Sequence, residues 1–230
     1  MTDVPSEFTP AAPLRPVLRT RASAFSYECR ACGRCCREKL IPVNPYEIAR
    51  LAVHLGISTT DFIQHYTDGG TALAVRPDVT CIFLDGSGCG VHADRPLACR
   101  LYPLGLVRGP GGEVVVELEA QPGSEGVRGE NGTVADFLEA QGVTPFLDAS
   151  RRYHAVLDRL VAALSAACGP EHAAEALTGD GDESAAPEFL DIDAALRLLA
   201  RRGETIPASV DDRVTRHIAY LDELVATTGG

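Results

Sequence analysis

Four cysteines fall within eight residues of this chain, in the run Cys29-Arg-Ala-Cys32-Gly-Arg-Cys35-Cys36. The two-residue gaps let the chain turn and bring the sulfurs of Cys29, Cys32 and Cys35 toward one centre. Zinc and iron–sulfur clusters both require such convergent thiolates. Gly33 supplies the backbone freedom that a tight turn around an ion needs. The spacing therefore predicts a metal site.

Three more cysteines follow further along the chain, so that seven of the eight lie between residues 29 and 99. We call Cys81, Cys89 and Cys99 the distal cysteines. Seven thiols in one segment far exceed ordinary cysteine usage, which favours metal ligands over unliganded thiols. The predicted metal ligands are Cys29, Cys32, Cys35, Cys36, Cys81, Cys89 and Cys99.

Two ligand schemes are open at this point. Adjacent side chains diverge in an extended backbone, so Cys35 and Cys36 are not expected to bind the same single ion. In the first scheme, Cys29, Cys32 and Cys35 bind one cluster together with one distal cysteine, as in ferredoxin-type runs. In the second scheme there are two sites, and Cys36 joins the distal cysteines in the other one.

The remaining candidates favour structural roles. Cys168 continues an apolar helical stripe and is predicted to be a buried, unliganded thiol. His92 lies close enough to Cys89 to be a ligand, although a surface or supporting role is favoured. Arg95 and Arg100 could bind an anion or stabilise a thiolate, and salt bridges from the loop to Asp94 or Glu28 are an equal alternative.

Composition and charge exclude several classes of function. The net charge is −11, and residues 28–105 carry eight basic against eight acidic side chains, so a nucleic-acid partner is not expected. No apolar run approaches the roughly 18 residues that a membrane span needs. Because no secretory signal precedes the cysteines, we expect a reducing cytoplasmic location, where clustered thiols bind metals rather than form disulfides.

Turn and capping signals place the cysteines among short elements. Two helices are predicted between Pro45 and Tyr66, and a β-hairpin is predicted about residues 109–112. Short strands are expected at 72–75 and 80–84, a Gly-rich loop at 121–132, and a short helix after Thr133. Amphipathic helices are expected from Thr144 onward, at 189–200 and at 207–225.

These elements predict an α+β protein in three parts. Residues 1–24 are expected to be a disordered leader, because they are rich in proline. Residues 25–143 form the predicted cysteine-cluster metal-binding domain, which combines short strands and helices. Residues 144–230 form the predicted all-α C-terminal extension.

The order and spacing of these motifs resemble the YkgJ-type cysteine cluster proteins, a bacterial family with a zinc- or iron-chelating CxxCxxCC domain. Flagellin lysine N-methylase is a distant relative. The resemblance covers residues 25–130, and it implies metal chelation. Two positions depart from it, because His92 stands where relatives often carry Tyr, and Ser124 where many carry a cysteine. The motifs are Cys29-x-x-Cys32-Gly-x-Cys35-Cys36, Cys81-x-Phe83-Leu84, Cys89-x-Val91-His92, Arg95-Pro96 and Cys99-Arg100-x-x-Pro103.

The sequence thus favours a protein that chelates a metal ion or cluster through clustered thiolates. An iron–sulfur cluster, of the 4Fe-4S type, is favoured over zinc because redundant thiols are costly in a purely structural zinc site. One rival is a protein-modifying enzyme, resembling the lysine N-methylase, whose metal organises the site for a protein substrate. The other is a zinc-stapled module that docks a protein partner.

Overall fold

The computed structural model describes residues 17–109, 112–169, 171–172 and 188–228. The helices are α1 (Pro45–Leu55), α2 (Thr59–Tyr66), α3 (Leu97–Leu101), α4 (Val134–Ala140), α5 (Thr144–Cys168), α6 (Ile192–Arg201) and α7 (Val210–Thr228). The strands are β1 (Val17–Arg19), β2 (Ala24–Glu28), β3 (Thr67–Asp68), β4 (Ala72–Leu73), β5 (Leu84–Asp85), β6 (Gly88–Cys89), β7 (Leu104–Gly109), β8 (Gly112–Glu117) and β9 (Val127–Thr133). Helices combined with short antiparallel strands confirm the α+β prediction.

The helix boundaries follow local capping signals. Asn44 and Glu47 form a reciprocal capping box at the start of α1, Pro45 occupies its first turn, and Gly56 ends it in a left-handed conformation. Ser58 caps α2 through the amide of Asp61. These signals are visible in the sequence, and the two predicted helices are confirmed.

The strands are short and pair antiparallel. β7 and β8 form the predicted hairpin, and β1 adds to the outer edge of β8. β2 pairs with β9, and β5 pairs with β6 across the turn that precedes Cys89.

The observed strands correct three predictions, which concern the leader, the Gly-rich loop and the segment 80–84. Val17–Arg19, assigned to the disordered leader, form β1 because β8 offers an unpaired edge; residues 1–16 lie outside the described residues. The expected Gly-rich loop at 121–132 contains β9, which is stabilised by pairing with β2. The expected strand at 80–84 is instead an irregular segment with isolated bridges at Thr80 and Cys81, and β5 begins only at Leu84.

Helix α1 contributes to two hydrophobic cores. Tyr46 and Ala49 pack into a core with α5, α6 and α7, whereas Ile48 and Leu51 pack into a second core with α2, Phe83 and Val91. A third core joins β2, α3 and α4. The helical region after residue 143 therefore packs directly against the segment that carries the cysteines.

Cys168 does not occupy the core position that its stripe predicted. Its side chain is exposed at the last residue of α5. The buried residues of this helix end at Leu160, so its last two turns carry no fully buried side chain. The prediction of a buried thiol is therefore wrong. None of the described helices combines the length and the apolarity that crossing a membrane requires.

Candidate metal centre

All seven predicted cysteine ligands line one cavity of about 260 Å³. Three separate stretches of chain deliver them, namely the loop after β2, the segment around β5 and β6, and α3. Aromatic and aliphatic side chains form much of the remaining wall, including Tyr27, Phe83 and Tyr102. The structure thus brings together thiols that lie up to 70 positions apart in the sequence.

The first four thiols lie on a tightly curved loop. Ala31 and Gly33 adopt positive φ values of 52° and 69°, which turn the chain between successive cysteines. A short 3₁₀ helix then carries Cys35 and Cys36. Cys29 is the exposed thiol of the seven, whereas Cys32, Cys35 and Cys36 are half-buried.

Backbone hydrogen bonds connect this loop to Cys81 and Cys89. The amide of Cys81 donates to the carbonyl oxygen of Cys36 at 2.8 Å, and the amide of Leu84 donates to the carbonyl oxygen of Cys81 at 3.0 Å. Leu84 in turn pairs with Cys89 across the hairpin of β5 and β6. Cys36, Cys81 and Cys89 are therefore fixed relative to one another through the main chain.

Cys99 is placed by the buried carboxylate of Glu47. Its Oε1 accepts a hydrogen bond from the amide of Leu97, the first residue of α3, at 2.6 Å, and its Oε2 accepts one from the amide of Asn44 at 2.9 Å. Burial outweighs these two hydrogen bonds and raises the pKa of Glu47 to about 7. Glu47 thus joins the start of α1 to the helix that carries Cys99.

The chain between Cys89 and Cys99 is anchored by Asp94. This carboxylate accepts a hydrogen bond from Arg50 at 2.7 Å and lies 3.0 Å from Nδ1 of His54, and both partners belong to α1. Glu28 pairs with Arg30. The salt-bridge alternative expected Asp94 or Glu28 to pair with Arg95 or Arg100. In the structure, Asp94 pairs with Arg50 and Glu28 pairs with Arg30.

Arg95 and Arg100 instead bind main-chain and amide oxygens. Arg100 donates to the carbonyl oxygens of Ala93, Arg95 and Gln141, and its guanidinium lies 4.1 Å from the ring centre of Phe146. Arg95 donates to the side chain of Gln141 at 2.6 Å. These contacts secure the Cys99 segment against the junction of α4 and α5. Arg95 also lines the cavity.

The thiols differ in how strongly the surroundings disfavour their charged form. Burial raises the pKa of Cys81, Cys89 and Cys99, the last to about 12, and nearby thiolates act in the same direction. The thiol of Cys36 donates to Cys35, which lowers the pKa of Cys35 and raises the pKa of Cys36. The charge of Lys39 also lowers the pKa of Cys35. A bound cation would therefore displace protons from the buried thiols.

Lys39 and Tyr102 form a part of the site that the sequence analysis missed. The Nζ atom of Lys39 lies 3.7 Å from the centre of the Tyr102 ring, and both residues line the cavity. Burial lowers the pKa of Lys39, while Cys35, Cys99 and Cys36 raise it as thiolates. The sequence signal for Lys39 was its position three residues after the cysteine run. The sequence signal for Glu47 was its spacing from Asn44 at the start of α1.

His92 and Ser124, the two positions that depart from the family resemblance, both line the cavity. Partial burial, with the nearby charges of Arg95 and Arg100, lowers the pKa of His92. The Ser124 hydroxyl accepts a hydrogen bond from the amide of Gly126 at 3.4 Å. Oxygen and nitrogen donors thus stand beside the thiols, whereas Cys168 lies at the end of α5 and does not line the cavity.

The residues present fit a soft metal centre. Thiolates favour zinc and iron–sulfur clusters, and seven of them face one cavity. Within the described ranges, no three Cys, His, Asp or Glu side chains already stand in the arrangement of a bound ion. The cavity therefore gathers the donors without fixing which four of them would coordinate.

Comparison with known proteins agrees with this donor set. Residues 28–120 match a family model described as "CxxCxxCC: Putative zinc- or iron-chelating domain", and the match includes all seven cysteines of the cavity. No curated protein and no solved structure matches the chain. Residues 28–120 of this chain are thus similar to the domains that this family model describes as zinc- or iron-chelating.

Proposed function

We propose that this protein binds an iron–sulfur cluster through the thiolates that line the cavity. The observation that carries this proposal is the size of the cavity together with its seven thiols. A water molecule occupies a share of about 30 Å³ in the liquid, and a zinc ion is smaller. A cavity of about 260 Å³ accommodates a group of several atoms.

The number of ligands is the same for either centre, because a structural zinc ion and a 4Fe-4S cluster each take four thiolates. Either one leaves three of the seven thiols without a direct bond to metal. The volume of the cavity is therefore the observation that favours the cluster.

The buried part of the cavity supplies the best candidates for the four ligands. Cys36, Cys81 and Cys89 are linked through the main chain, and Cys99 is held by the contact between α3 and Glu47. Cys35 precedes Cys36 in the chain and lines the same cavity as Cys81, Cys89 and Cys99. We therefore favour the scheme in which Cys36 and the distal cysteines act together.

The side chains around the thiols have separable roles in this proposal. Lys39 supplies a positive charge that offsets the excess negative charge of a thiolate centre. The rings of Tyr27, Phe83 and Tyr102 line the cavity and shield the thiols from water. When bound, an iron–sulfur cluster would supply one-electron transfer or hold the three chain segments together.

Metal analysis after anaerobic purification tests the proposal. We expect iron and acid-labile sulfide in the purified protein, with a broad absorption band near about 400 nm that the Cys81→Ser variant loses. The matched control is Cys168→Ser, which should keep the band because this exposed thiol lies outside the cavity. Stoichiometric zinc without iron, from cells supplied with both, would contradict the cluster.

Zinc is the second candidate, and one structural observation favours it. The segments that carry the thiols contain strands of two residues and a helix of five, which bury little surface of their own. Such segments gain folding free energy from a cross-linking ion. Zinc in that role would make the domain a scaffold for a protein partner, and the same metal analysis separates the two candidates.

A further inference from the structure

The thiols of the cavity are graded from its rim to its interior. Cys29 is exposed and Cys32 half-buried, and both belong to a loop whose residues 29–33 all line the cavity. At the other end, Cys99 is carried by α3, whose first residue, Leu97, donates a hydrogen bond to the buried carboxylate of Glu47. Four ligands suffice for one centre, so Cys29 and Cys32 are available for another task.

The loop and the interior also differ in how they are fixed. The contacts around Cys29 are local, since its sulfur accepts a hydrogen bond from the amide of Ala31 at 3.4 Å. The interior cysteines are joined across the chain by the bond from Cys81 to Cys36 and by the pairing of Leu84 with Cys89. A ligand on the loop can therefore change position at lower cost than one in the interior.

Cys35 stands between the two groups. It follows Cys32 by three residues and precedes Cys36, and it lines the same cavity. Tyr27 lines this cavity together with Cys29 and Cys35. The exposed Cys29 and the half-buried Cys32, Cys35 and Cys36 thus lie along one wall segment of the cavity that the distal cysteines also line.

We propose that Cys29 and Cys32 are the point at which metal passes between the cavity and the thiol groups of a donor or acceptor protein. This rests on the proposed metal binding, but not on which metal is bound. In each step a sulfur–metal bond to an incoming thiolate forms and one to a resident thiolate breaks. The displaced thiolate takes up the proton that the incoming thiol released, and no oxidation state changes.

The rim carries features that suit such a partner. Residues 28–39 contain four basic side chains (30, 34, 37, 39) against two acidic ones (28, 38), a local charge of 4 − 2 = +2 in a chain of net charge −11. This surplus favours the approach of an anionic thiolate-bearing partner. Leu40, which also lines the cavity, is 72% exposed and gives that partner an apolar contact.

Zinc transfer provides the test, because zinc can be loaded into the metal-free protein whichever metal it carries in the cell. The double variant Cys29→Ser/Cys32→Ser and the parent are loaded with zinc under reducing, anaerobic conditions. Release is then followed with an excess of a chromophoric zinc chelator. The exposed-thiol variant Cys168→Ser is the matched control.

We expect the double variant to keep the tightly bound zinc of the parent but to release and take up zinc about tenfold more slowly, which corresponds to about 1.4 kcal/mol of barrier. Faster release or loss of the tightly bound zinc would show that the pair retains the metal, and equal rates would show that it plays no part. Either result overturns the proposal. A parent that carries zinc but no iron would contradict the proposed cluster and leave this comparison valid.

A second measurement needs no variant. The zinc-loaded parent is alkylated with iodoacetamide, and the modified cysteines are located by mass spectrometry. Cys29 and Cys32 should react well before Cys81 and Cys99, with Cys168 as the internal standard for an exposed free thiol. Equal protection of the rim and interior thiols would overturn the assignment.

Discussion

Glu47 and Leu97 are joined by a hydrogen bond of 2.6 Å, in which the backbone amide at the start of α3 donates to a buried carboxylate oxygen of α1. This bond links a helix cap to the segment that carries Cys99. Because both Glu47 oxygens accept backbone hydrogen bonds, the carboxylate remains in place although burial disfavours its charge.

Replacing Glu47 with Gln should change how stability depends on pH. The folded-state pKa of about 7 lies above the ordinary value of 4.5, so this group stabilises the fold fully below pH 4.5, and the contribution is lost as the pH rises through 7. The parent should therefore lose about 3 kcal/mol of unfolding free energy from this group between pH 4.5 and 8. Glu47→Gln should lack that loss.

Urea unfolding at several pH values measures the difference between Glu47→Gln and the parent. The control is Glu139→Gln, an exposed glutamate on α4, which should follow the parent. A parallel pH profile for Glu47→Gln and the parent would contradict the assignment of this titration to Glu47.

His217 should produce the opposite pH dependence. Its Nε2 donates to the carbonyl oxygen of Glu188 at 2.8 Å, so its Nδ1 accepts from the Tyr153 hydroxyl at 3.0 Å. Burial of this neutral ring lowers its pKa to about 4. The stabilising contribution is complete above pH 6.5 and is lost as the pH falls through 4, which removes about 3 kcal/mol.

Helical circular dichroism during acid titration checks this expectation. His217→Leu should be less stable than the parent at pH 7, because Tyr153 loses its partner, but its stability should fall less between pH 6.5 and 4. His154→Gln, at an exposed position on the neighbouring turn of α5, is the control. Identical acid profiles for the His217 variant and the parent would show that this histidine does not govern the transition.

Replacing Cys99 with Ser should lower the bound metal and loosen the cysteine segment. The three stretches of chain around the cavity gain folding free energy from a shared centre, and α3 is only five residues long. Limited proteolysis should therefore cut between residues 29 and 99 sooner than in the parent. Much of the helical dichroism should remain, because α5, α6 and α7 share a core of their own with α1. Full metal content with unchanged protease resistance would show that Cys99 is not a ligand.

Lys39→Met should weaken metal binding without removing a ligand. The ammonium group lies over Tyr102 beside three thiols, and its loss leaves more negative charge uncompensated. We expect the zinc affinity to fall by about tenfold, a typical effect of removing a group that supports the ligands. Competition with a zinc chelator measures this, and Lys39→Arg, which keeps the charge, should stay close to the parent. Equal affinities for Lys39→Met and the parent would contradict this role.

Local chemistry accounts for the parts of the fold that the sequence predicts. Proline, glycine and capping side chains act within four or five residues, so α1, α2 and α4 begin where Asn44, Ser58 and Thr133 indicate. The β7–β8 hairpin is equally local.

Long-range pairing accounts for the parts that the sequence did not predict. The β9 strand pairs with β2 from about 100 residues away, and its glycines and charges give no alternating pattern. Cys168 continues an apolar stripe, but the buried part of that stripe ends at Leu160. The number and spacing of the cysteines predicted that they would converge, whereas the placement of each thiol in the cavity depends on contacts between distant segments.

Helix α1 lies in two cores at once, with Tyr46 on the side of the C-terminal helices and Ile48 on the side of the cysteine segment. The cavity segment and the C-terminal helices therefore both pack against the same helix. A molecule that binds those helices and shifts α1 would alter metal affinity by some factor, and thermodynamic reciprocity requires metal to alter the affinity of that molecule by the same factor. The C-terminal helices are thus positioned to report the metal content of the cavity.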